Sequence, residues 1–277
     1  MNRCLNRGAD LHGAFCADCG QRAVPANPTI AELAGDAWQE LSGYDGRIAA
    51  TCKGLLRPGL LTVDYLQGRR ARYLSPIRLC LIVSVVYFLA SAAAPSRSDI
   101  AGPGIEIQFG NSSRGDAAEL TAEDRAAMLE TVDQQAWFIR PLLRSFAQDP
   151  AGFRARIFTI MPRVFFGLLP VFAAIVAMFY RGHRFPTALV YSAHLHAFAF
   201  VAFTVSEVAK YARQPVLSTV VGTVCVVAFI AYTLLAFRAV YRETWPMTAL
   251  KTVGVGVVYM FASIPAFILI LVWASLT

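Results

Sequence analysis

The sequence predicts an all-α membrane protein, in which a bundle of five transmembrane helices carries a small N-terminal zinc-ribbon-like knuckle and amphipathic interfacial helices. Three observations point to this class. The first is composition: 56% of the 277 residues are hydrophobic and only 16% are charged, which is far more apolar than an ordinary soluble domain. The second is the clustering of apolar residues into charge-free runs. The third is the position of basic residues at the ends of those runs.

Five charge-free runs approach or exceed the roughly 20 residues that an α-helix needs to cross the hydrocarbon core of a bilayer. Backbone groups inside lipid must find their hydrogen-bond partners within the segment, so each run is expected to be helical. The five spans are predicted near residues 77–95, 161–180, 186–206, 215–237 and 251–273 of a membrane domain over 75–277. Residues 96–160 are the predicted external loop.

Basic residues cluster at alternate ends of these runs. They are Arg69, Arg70, Arg72 and Arg78 before the first run, Arg181 and Arg184 after the second, and Arg238, Arg242 and Lys251 after the fourth. By the positive-inside rule these ends face the cytosol, which predicts a multi-pass protein of the cytoplasmic membrane with a cytosolic N-terminus and an external C-terminus. The first 70 residues also lack the apolar core of a signal peptide.

The formal net charge of +7 is concentrated at these flanks. We therefore expect the bilayer and its anionic lipid headgroups, and no nucleic acid, as the partner of the basic residues. Arg69, Arg70 and Arg72 are the candidate headgroup contacts, because they stand together immediately before the first predicted span.

Residues 1–24 are predicted to form a cytosolic, degenerate zinc-ribbon-like head. The run Cys16–Gln21 contains a C-x2-C-G turn, which directs backbone N–H groups at both thiolates and uses glycine for the required backbone angles. A ribbon needs two such turns, but the first pairs Cys4 with Arg7, where a second thiolate is expected. Cys4, Cys16 and Cys19 therefore leave zinc one ligand short. Either His12 supplies the fourth ligand, or the ribbon has decayed and binds no metal.

Residues 25–74 are predicted to form cytosolic amphipathic helices. Apolar residues recur at helical spacing over residues 29–43, and a second helix begins near Arg47, breaks at residues 57–59 and resumes to Gln67. An apolar stripe bordered by arginines is typical of a helix that lies in the bilayer interface. The alternative is that this helix packs on the membrane spans.

Histidine occurs within only one predicted span, the third. Its polar residues Tyr191, His194, His196 and Glu207 form the candidate intramembrane site, because ionisable residues inside a span usually face a bundle interior, a cavity or a partner. His194 and His196 lie about 200° apart around a helix, so they point to opposite faces and cannot both bind one metal. The alternative is that both imidazoles are neutral and hydrogen-bonded to neighbouring helices.

Several motifs follow one another at fixed spacing. They are Cys16–Gln21, Arg57-Pro58-Gly59, Tyr65-Leu66, Gly68-Arg69-Arg70, Tyr73 and Pro76. In this combination the chain resembles a bacterial family of uncharacterised polytopic membrane proteins, the domain of unknown function 3667. The resemblance implies a cytosolic zinc-ribbon head in front of membrane helices, and it implies no activity. The chain departs from the family pattern at Arg7, in place of cysteine, and at Thr187-Ala188, in place of an expected Glu-His pair.

None of the familiar catalytic motifs of soluble enzymes occurs in the sequence. The sequence therefore favours a non-enzymatic binding, adaptor or envelope-assembly component with a membrane protein as partner. One alternative is a transporter of a small solute or metal that uses the third-span histidines. Another is a membrane enzyme that acts on lipid-linked substrates, with His194 as acid or base.

Overall fold

A computed structural model describes residues 3–13, 15–21, 29, 47–93, 132 and 140–276 of the chain. Within these ranges the secondary structure is helical and contains no β-strand. The helices are α1 (Ile48–Leu55), α2 (Leu60–Leu66), α3 (Pro76–Ala93), α4 (Arg140–Gln148), α5 (Pro150–Phe179), α6 (Phe185–Ala209), α7 (Pro215–Tyr241) and α8 (Trp245–Leu276). The predicted amphipathic helix over residues 29–43 and most of the predicted loop 96–160 lie outside the described residues.

Four helices of the described part are long and apolar enough to cross a bilayer: Ala155–Phe179, Phe185–Ala212, Pro215–Tyr241 and Trp245–Leu276. The predicted all-α membrane class is therefore confirmed. The first predicted span corresponds to α3, whose apolar part, Pro76–Ser91, is shorter. The 18 residues of α3 rise about 27 Å, close to the roughly 30 Å of a hydrocarbon core. The fifth crossing thus stays a prediction.

α5 begins at Pro150, well before the predicted start of the second span near residue 161. The Asp149 carboxylate accepts a hydrogen bond of 2.8 Å from the Gly152 N–H and caps the helix, and proline suits its first position. Arg156, within the predicted loop, donates from Nε to the Ala274 carbonyl at 3.0 Å. Residues 150–160, which the sequence assigned to the external loop, are thus helical and continuous with the second span.

The apolar helices run in alternating directions along the chain. α3 is parallel to α6, α5 and α7 are antiparallel to α6, and α8 is antiparallel to α5. The contacts that establish these directions are Tyr87 with Phe200, Ala90 with Tyr211, Leu169 with Ser192, Phe165 with Phe200, Phe237 with Tyr191, Phe229 with Phe203, Tyr259 with Phe172, and Phe267 with Phe165. Residues 73–76, 180–184 and 242–244 therefore lie at one end of the bundle, the head end.

α6 is the central helix of this bundle. Within its apolar window 61% of the residues are buried, against 17% in α7 and 11% in α8. α7 and α8 instead expose long rows of valine, leucine, isoleucine and phenylalanine. Exposed apolar surface of this extent is unusual on a soluble monomer and is what a lipid-facing surface requires.

α1 and α2 lie at the head end and pack on the bundle. Leu61 and Tyr65 of α2 are buried, at 3% and 6% exposure. Gly59, in the turn before α2, has a φ of +76°, and a Cβ built there would lie 2.8 Å from the Ala239 Cβ and 3.2 Å from the Ala236 carbonyl oxygen of α7. Protein thus covers the apolar stripe that suggested an interfacial helix. The apolar face of α2 lies against α6 and α7, so α2 packs on the membrane spans.

Candidate functional site

The head contains two turns with the same backbone conformation. In the first, the Gly8 N–H donates to the Cys4 carbonyl at 2.7 Å, and in the second the Gly20 N–H donates to the Cys16 carbonyl at 2.8 Å. Both glycines have left-handed backbone angles, with φ of +76° and +67°, which glycine adopts without a Cβ penalty. The two halves of the head are therefore equivalent in backbone, although only the second has the full C-x2-C-G sequence.

The three cysteines of the head converge on one point. The sulfur atoms of Cys4, Cys16 and Cys19 all lie within 4.8 Å of one another, and the Sγ atoms of Cys4 and Cys19 are 3.6 Å apart. A tetrahedral zinc ion with Zn–S bonds of about 2.3 Å places its sulfurs about 3.8 Å apart. The donor set and its spacing therefore fit a thiolate-bound metal ion.

Backbone N–H groups stabilise charge at these sulfurs. Burial raises the pKa of the Cys4 thiol. Hydrogen bonds from the backbone of Arg7 and Asn6 lower this pKa, and they outweigh the effect of burial, so the net shift is downward. At Cys16 burial prevails over the equivalent hydrogen bonds, and the pKa of that thiol is raised. A bound cation would favour the thiolate form of all three, because coordinating thiols lose their protons.

The structure does not bring His12 to the thiols. His12 is exposed and lies outside the group of possible ligands. All six cysteines and all four histidines of the chain fall within the described residues, and only Cys4, Cys16 and Cys19 form such a group. Arg7 occupies the backbone position that is equivalent to Cys19. Among the described residues, His12 therefore does not join the three sulfurs in this structure.

Replacing Cys16 with serine is expected to reduce the metal content of the purified protein from about one ion per chain to background, because two thiolates hold zinc weakly. The matched control is Cys52→Ser, since Cys52 is exposed on α1 and lies outside the group. Metal analysis of both variants after removal of loose ions checks the prediction. Equal metal contents in the two variants would contradict it.

Gln21 connects the head to the rest of the protein. Its Nε2 donates to the Gly68 carbonyl, and its Oε1 accepts from the backbone N–H groups of Arg70 and Ala71 at 3.1 and 3.0 Å. The side chain is 8% exposed. One glutamine thus satisfies three backbone groups of residues 68–71, which we call the docking turn. In the sequence, Gln21 is recognisable only as part of a motif, and nothing local indicates its role.

Leu5 makes the second contact between head and docking turn. Gly68 has a φ of +84°, and a Cβ built there would overlap the Leu5 side chain. Leu5 belongs to the first of the two equivalent turns, whereas Gln21 follows the second. Both halves of the head therefore contact the docking turn, residues 68–71.

The docking turn is held by a buried carboxylate. Asp64 of α2 is 4% exposed and accepts hydrogen bonds from the Arg69 guanidinium and, at 2.8 Å, from the Tyr73 hydroxyl. Burial and the adjacent Asp64 carboxylate raise the pKa of Tyr73, so its hydroxyl retains the proton that it donates. Arg69, a candidate headgroup contact, is therefore committed to an internal ion pair.

The other two candidate headgroup residues differ in their surroundings. The Arg70 guanidinium is half-buried and lies over the Tyr65 ring, 4.7 Å from its centroid. Arg72 is exposed, with its guanidinium 6.0 Å from the centre of the Tyr73 ring. Of the three arginines, Arg72 presents its charge most fully to the surroundings.

His194 links α6 to α2 within the protein interior. Its Nδ1 lies 2.9 Å from the Thr62 hydroxyl oxygen, and both side chains are buried, at 4% and 1% exposure. Two chain segments that are distant in sequence thus share one buried hydrogen bond. The docking turn, α2 and α6 form a continuous series of contacts from the head to the membrane bundle.

His196 points to the opposite side of α6. Its Nδ1 donates to the Ser192 carbonyl at 2.8 Å, so its Nε2 is the acceptor for the Tyr259 hydroxyl at 3.2 Å. The ring lies edge-on to Phe172, and the adjacent space is too small to hold a water molecule. His196 therefore sits in a packed seam between α6, α5 and α8.

The remaining two candidate residues have separate partners. The Tyr191 hydroxyl is 3.5 Å from the Thr233 carbonyl of α7, and Glu207 forms an ion pair of 2.7 Å with Lys210. The structure therefore does not bring the four polar residues together in one pocket. Each of the four side chains has its own partner. This agrees with the alternative interpretation, in which the histidines are hydrogen-bonded to neighbouring helices and have a structural role.

Replacing Thr62 with valine is expected to lower the free energy of unfolding by about 1 kcal/mol, because the shape is kept while the buried His194 loses a hydrogen-bond partner. The matched control is Thr223→Val, because Thr223 is exposed and bonds only within its own helix, to Thr219. Unfolding in mixed detergent micelles measures both variants. Equal stabilities would show that this contact is not made.

An open depression of about 690 Å³ lies at the opposite end of the bundle, where α4, α5 and α8 meet. Its lining includes Arg140, Arg144 and Arg156. Arg156 donates to the Ser145 hydroxyl at 3.1 Å as well as to the end of α8. This depression cannot be predicted from sequence, because it depends on contacts between distant helices.

Comparison with known proteins identifies one segment of the chain. The family model described as "Protein of unknown function (DUF3667)" matches residues 45–88. No curated protein and no solved structure matches the chain. The matched segment includes α1, α2, the docking turn and most of α3. The predicted resemblance is therefore confirmed over this segment: residues 45–88 are similar to the DUF3667 family of proteins of unknown function.

Proposed function

We propose that this is a multi-pass protein of the bacterial cytoplasmic membrane that acts as a binding or adaptor component through a zinc-binding head. The observation that carries the proposal is the attachment of the head to the bundle. Gln21 and Leu5 rest on the docking turn, and Thr62 of the adjoining α2 bonds to His194 of the central helix. Metal or partner binding at the head therefore acts on a segment that is continuous with the membrane domain.

The distribution of charge supports a cytosolic head. Arg181 and Arg184 are exposed in the α5–α6 turn, and Lys251 pairs with Glu243 near the α7–α8 turn. These residues lie at the head end, together with the exposed Arg72. Arg140, Arg144 and Arg156 lie at the opposite end, so the orientation is proposed on the larger set of cations at the head end, which also includes Arg69, Arg70, Arg238 and Arg242. An excess of cations favours the cytosolic side and its anionic headgroups. In this orientation α8 ends on the external side.

The contacts of the histidines favour the adaptor role over transport or catalysis. Transport needs polar groups along a shared hydrated path, and catalysis needs a cavity for substrate. His194 is covered by Thr62, and His196 lies in a packed seam with Tyr259. Both imidazoles thus have structural partners, and the space that His196 borders is too small to hold a water molecule.

The surface of the head offers a position from which to test for a partner. Phe15, directly before Cys16, is 63% exposed, which is unusual for a large aromatic side chain on a small soluble head. A photo-crosslinking residue at this position is expected to capture one membrane protein in intact cells. The same residue at Val216, which is 75% exposed at the start of α7, is the control and should capture lipid or nothing specific.

The partner should be lost when the head can no longer bind metal. Combining the Phe15 crosslinker with Cys16→Ser is expected to abolish the product, whereas combining it with Cys52→Ser should leave the product unchanged. A product that forms equally from Val216, or that persists in the Cys16 variant, would contradict an adaptor role for the metal-bound head.

A further inference from the structure

We infer that a metal ion in the head keeps one coordination position open, and that this position binds a small anionic donor, with thiolate as the best match, from outside the chain. The inference rests on the proposed metal-binding head and adds to it how the metal is used. Structural zinc sites are closed by four protein ligands, whereas sites that exchange a ligand keep one position free. The coordination number therefore separates a purely structural head from one that binds a further molecule.

No further cysteine or histidine of this chain is placed to fill the fourth coordination position of the metal ion. Every cysteine and histidine falls within the described residues, and only Cys4, Cys16 and Cys19 lie within 4.8 Å of one another. Of the chain neighbouring the head, residues 1–2, 14 and 22–28 contain no cysteine, histidine, aspartate or glutamate. Among the described residues and these neighbouring ones, the group of possible zinc ligands thus has three members.

The equivalence of the two turns locates the open position. The backbone N–H groups of Asn6 and Arg7 point at the Cys4 sulfur, as those of Asp18 and Cys19 point at the Cys16 sulfur. Arg7 therefore stands where a fourth thiolate would complete the tetrahedron. Arg7 and Gly8 are exposed, whereas the Cys4 and Cys16 sulfurs face the interior. The open position is on the solvent side of the metal.

Charge favours an anion at this position. A zinc ion with three thiolates carries a net charge of about −1, and a fourth anionic ligand adds another negative charge. The permanent positive charge of Arg7, at the equivalent backbone position, offsets part of this cost. A soft thiolate is the donor that best matches an ion already held by thiolates. Arg7 in place of a cysteine thus removes one protein ligand and also favours the binding of an external anionic ligand at the same position.

Cobalt(II) substitution tests this inference on the full-length protein in detergent micelles. Cobalt takes the same tetrahedral thiolate sites as zinc, and its visible and charge-transfer bands report the number of sulfur ligands. Titration of the wild-type protein with 2-mercaptoethanol is expected to raise the sulfur-to-cobalt band by about one third, as three thiolates become four. The bound cobalt is measured at each step, so that ligand addition is separated from metal loss.

Two variants of one residue serve as controls. Arg7→Cys should supply the fourth thiolate from the chain, so its spectrum should start at the four-thiolate intensity and not respond to added thiol. Arg7→Ser removes the charge without closing the site, so it should still respond, at a several-fold higher thiol concentration. A wild-type protein that binds cobalt without responding to thiol would overturn the inference and leave the metal-binding head intact. Failure to bind cobalt at all would overturn both.

Discussion

Replacing Gly59 with alanine is expected to lower the free energy of unfolding by about 3 kcal/mol. An alanine with φ near +76° costs about 1–2 kcal/mol relative to a right-handed conformation. The new methyl group would also lie 2.8 Å from the Ala239 Cβ and 3.2 Å from a backbone oxygen of α7, and overpacking of this kind costs about 1–3 kcal/mol. Unfolding in mixed detergent micelles measures the loss.

The control for this prediction is Gly256→Ala. Gly256 lies within α8, its φ is not in the left-handed region, and a Cβ built there meets nothing within 4 Å. Alanine there should be neutral or stabilise the helix by up to about 1 kcal/mol. If Gly59→Ala were as stable as Gly256→Ala, the turn before α2 would not pack against α7 as described.

Replacing Asp64 with asparagine is expected to lower the free energy of unfolding by about 2 kcal/mol. The change leaves the shape of the side chain but removes the charge that holds Arg69 and accepts from Tyr73. Loss of one partner from a fully buried pair costs about 3–5 kcal/mol, and solvent screening at Arg69, which is 33% exposed, reduces this figure. The same unfolding assay measures the effect.

The matched control is Asp10→Asn. Asp10 pairs with Arg3 at 3.4 Å, but both side chains are at least half exposed, and such pairs contribute about 0–1 kcal/mol. The Asp64 variant should also weaken the docking turn, so the head should become more accessible to protease than in the control. Equal stability and equal cleavage in the two variants would show that Asp64 does not organise the turn.

The membrane helices could be predicted from sequence because lipid imposes a simple rule on composition. Runs without charge located α6 and α7 closely, and helical geometry placed His194 and His196 on opposite faces. The same rule placed the start of the second span near residue 161, whereas α5 begins at Pro150. It could not anticipate that Arg156 pairs with Asp149 and with the Ala274 carbonyl inside a helix. It left two readings open at α2, since an apolar stripe does not reveal whether lipid or protein covers it.

The residues of the candidate site could be predicted only where they lie close together in the sequence. The C-x2-C-G turn predicted the positions of Cys16 and Cys19, and the missing cysteine at Arg7 predicted an incomplete ligand set. The role of Gln21 depends on residues 68–71, which are distant in sequence, and no local pattern indicates that contact. The partners of His194 and His196 are likewise set by how α2 and α8 pack on α6.

The central claim is that the three-cysteine head is attached to the docking turn. Hydrogen–deuterium exchange of the full-length protein measures this directly, because the Arg70 and Ala71 amides donate to Gln21. We expect exchange at these two amides to speed up by about tenfold or more in Gln21→Ala and after removal of the metal with a chelator, with no change at amides within α7. Equally slow exchange at Arg70 and Ala71 under all three conditions would contradict the attachment of the head and the account built on it.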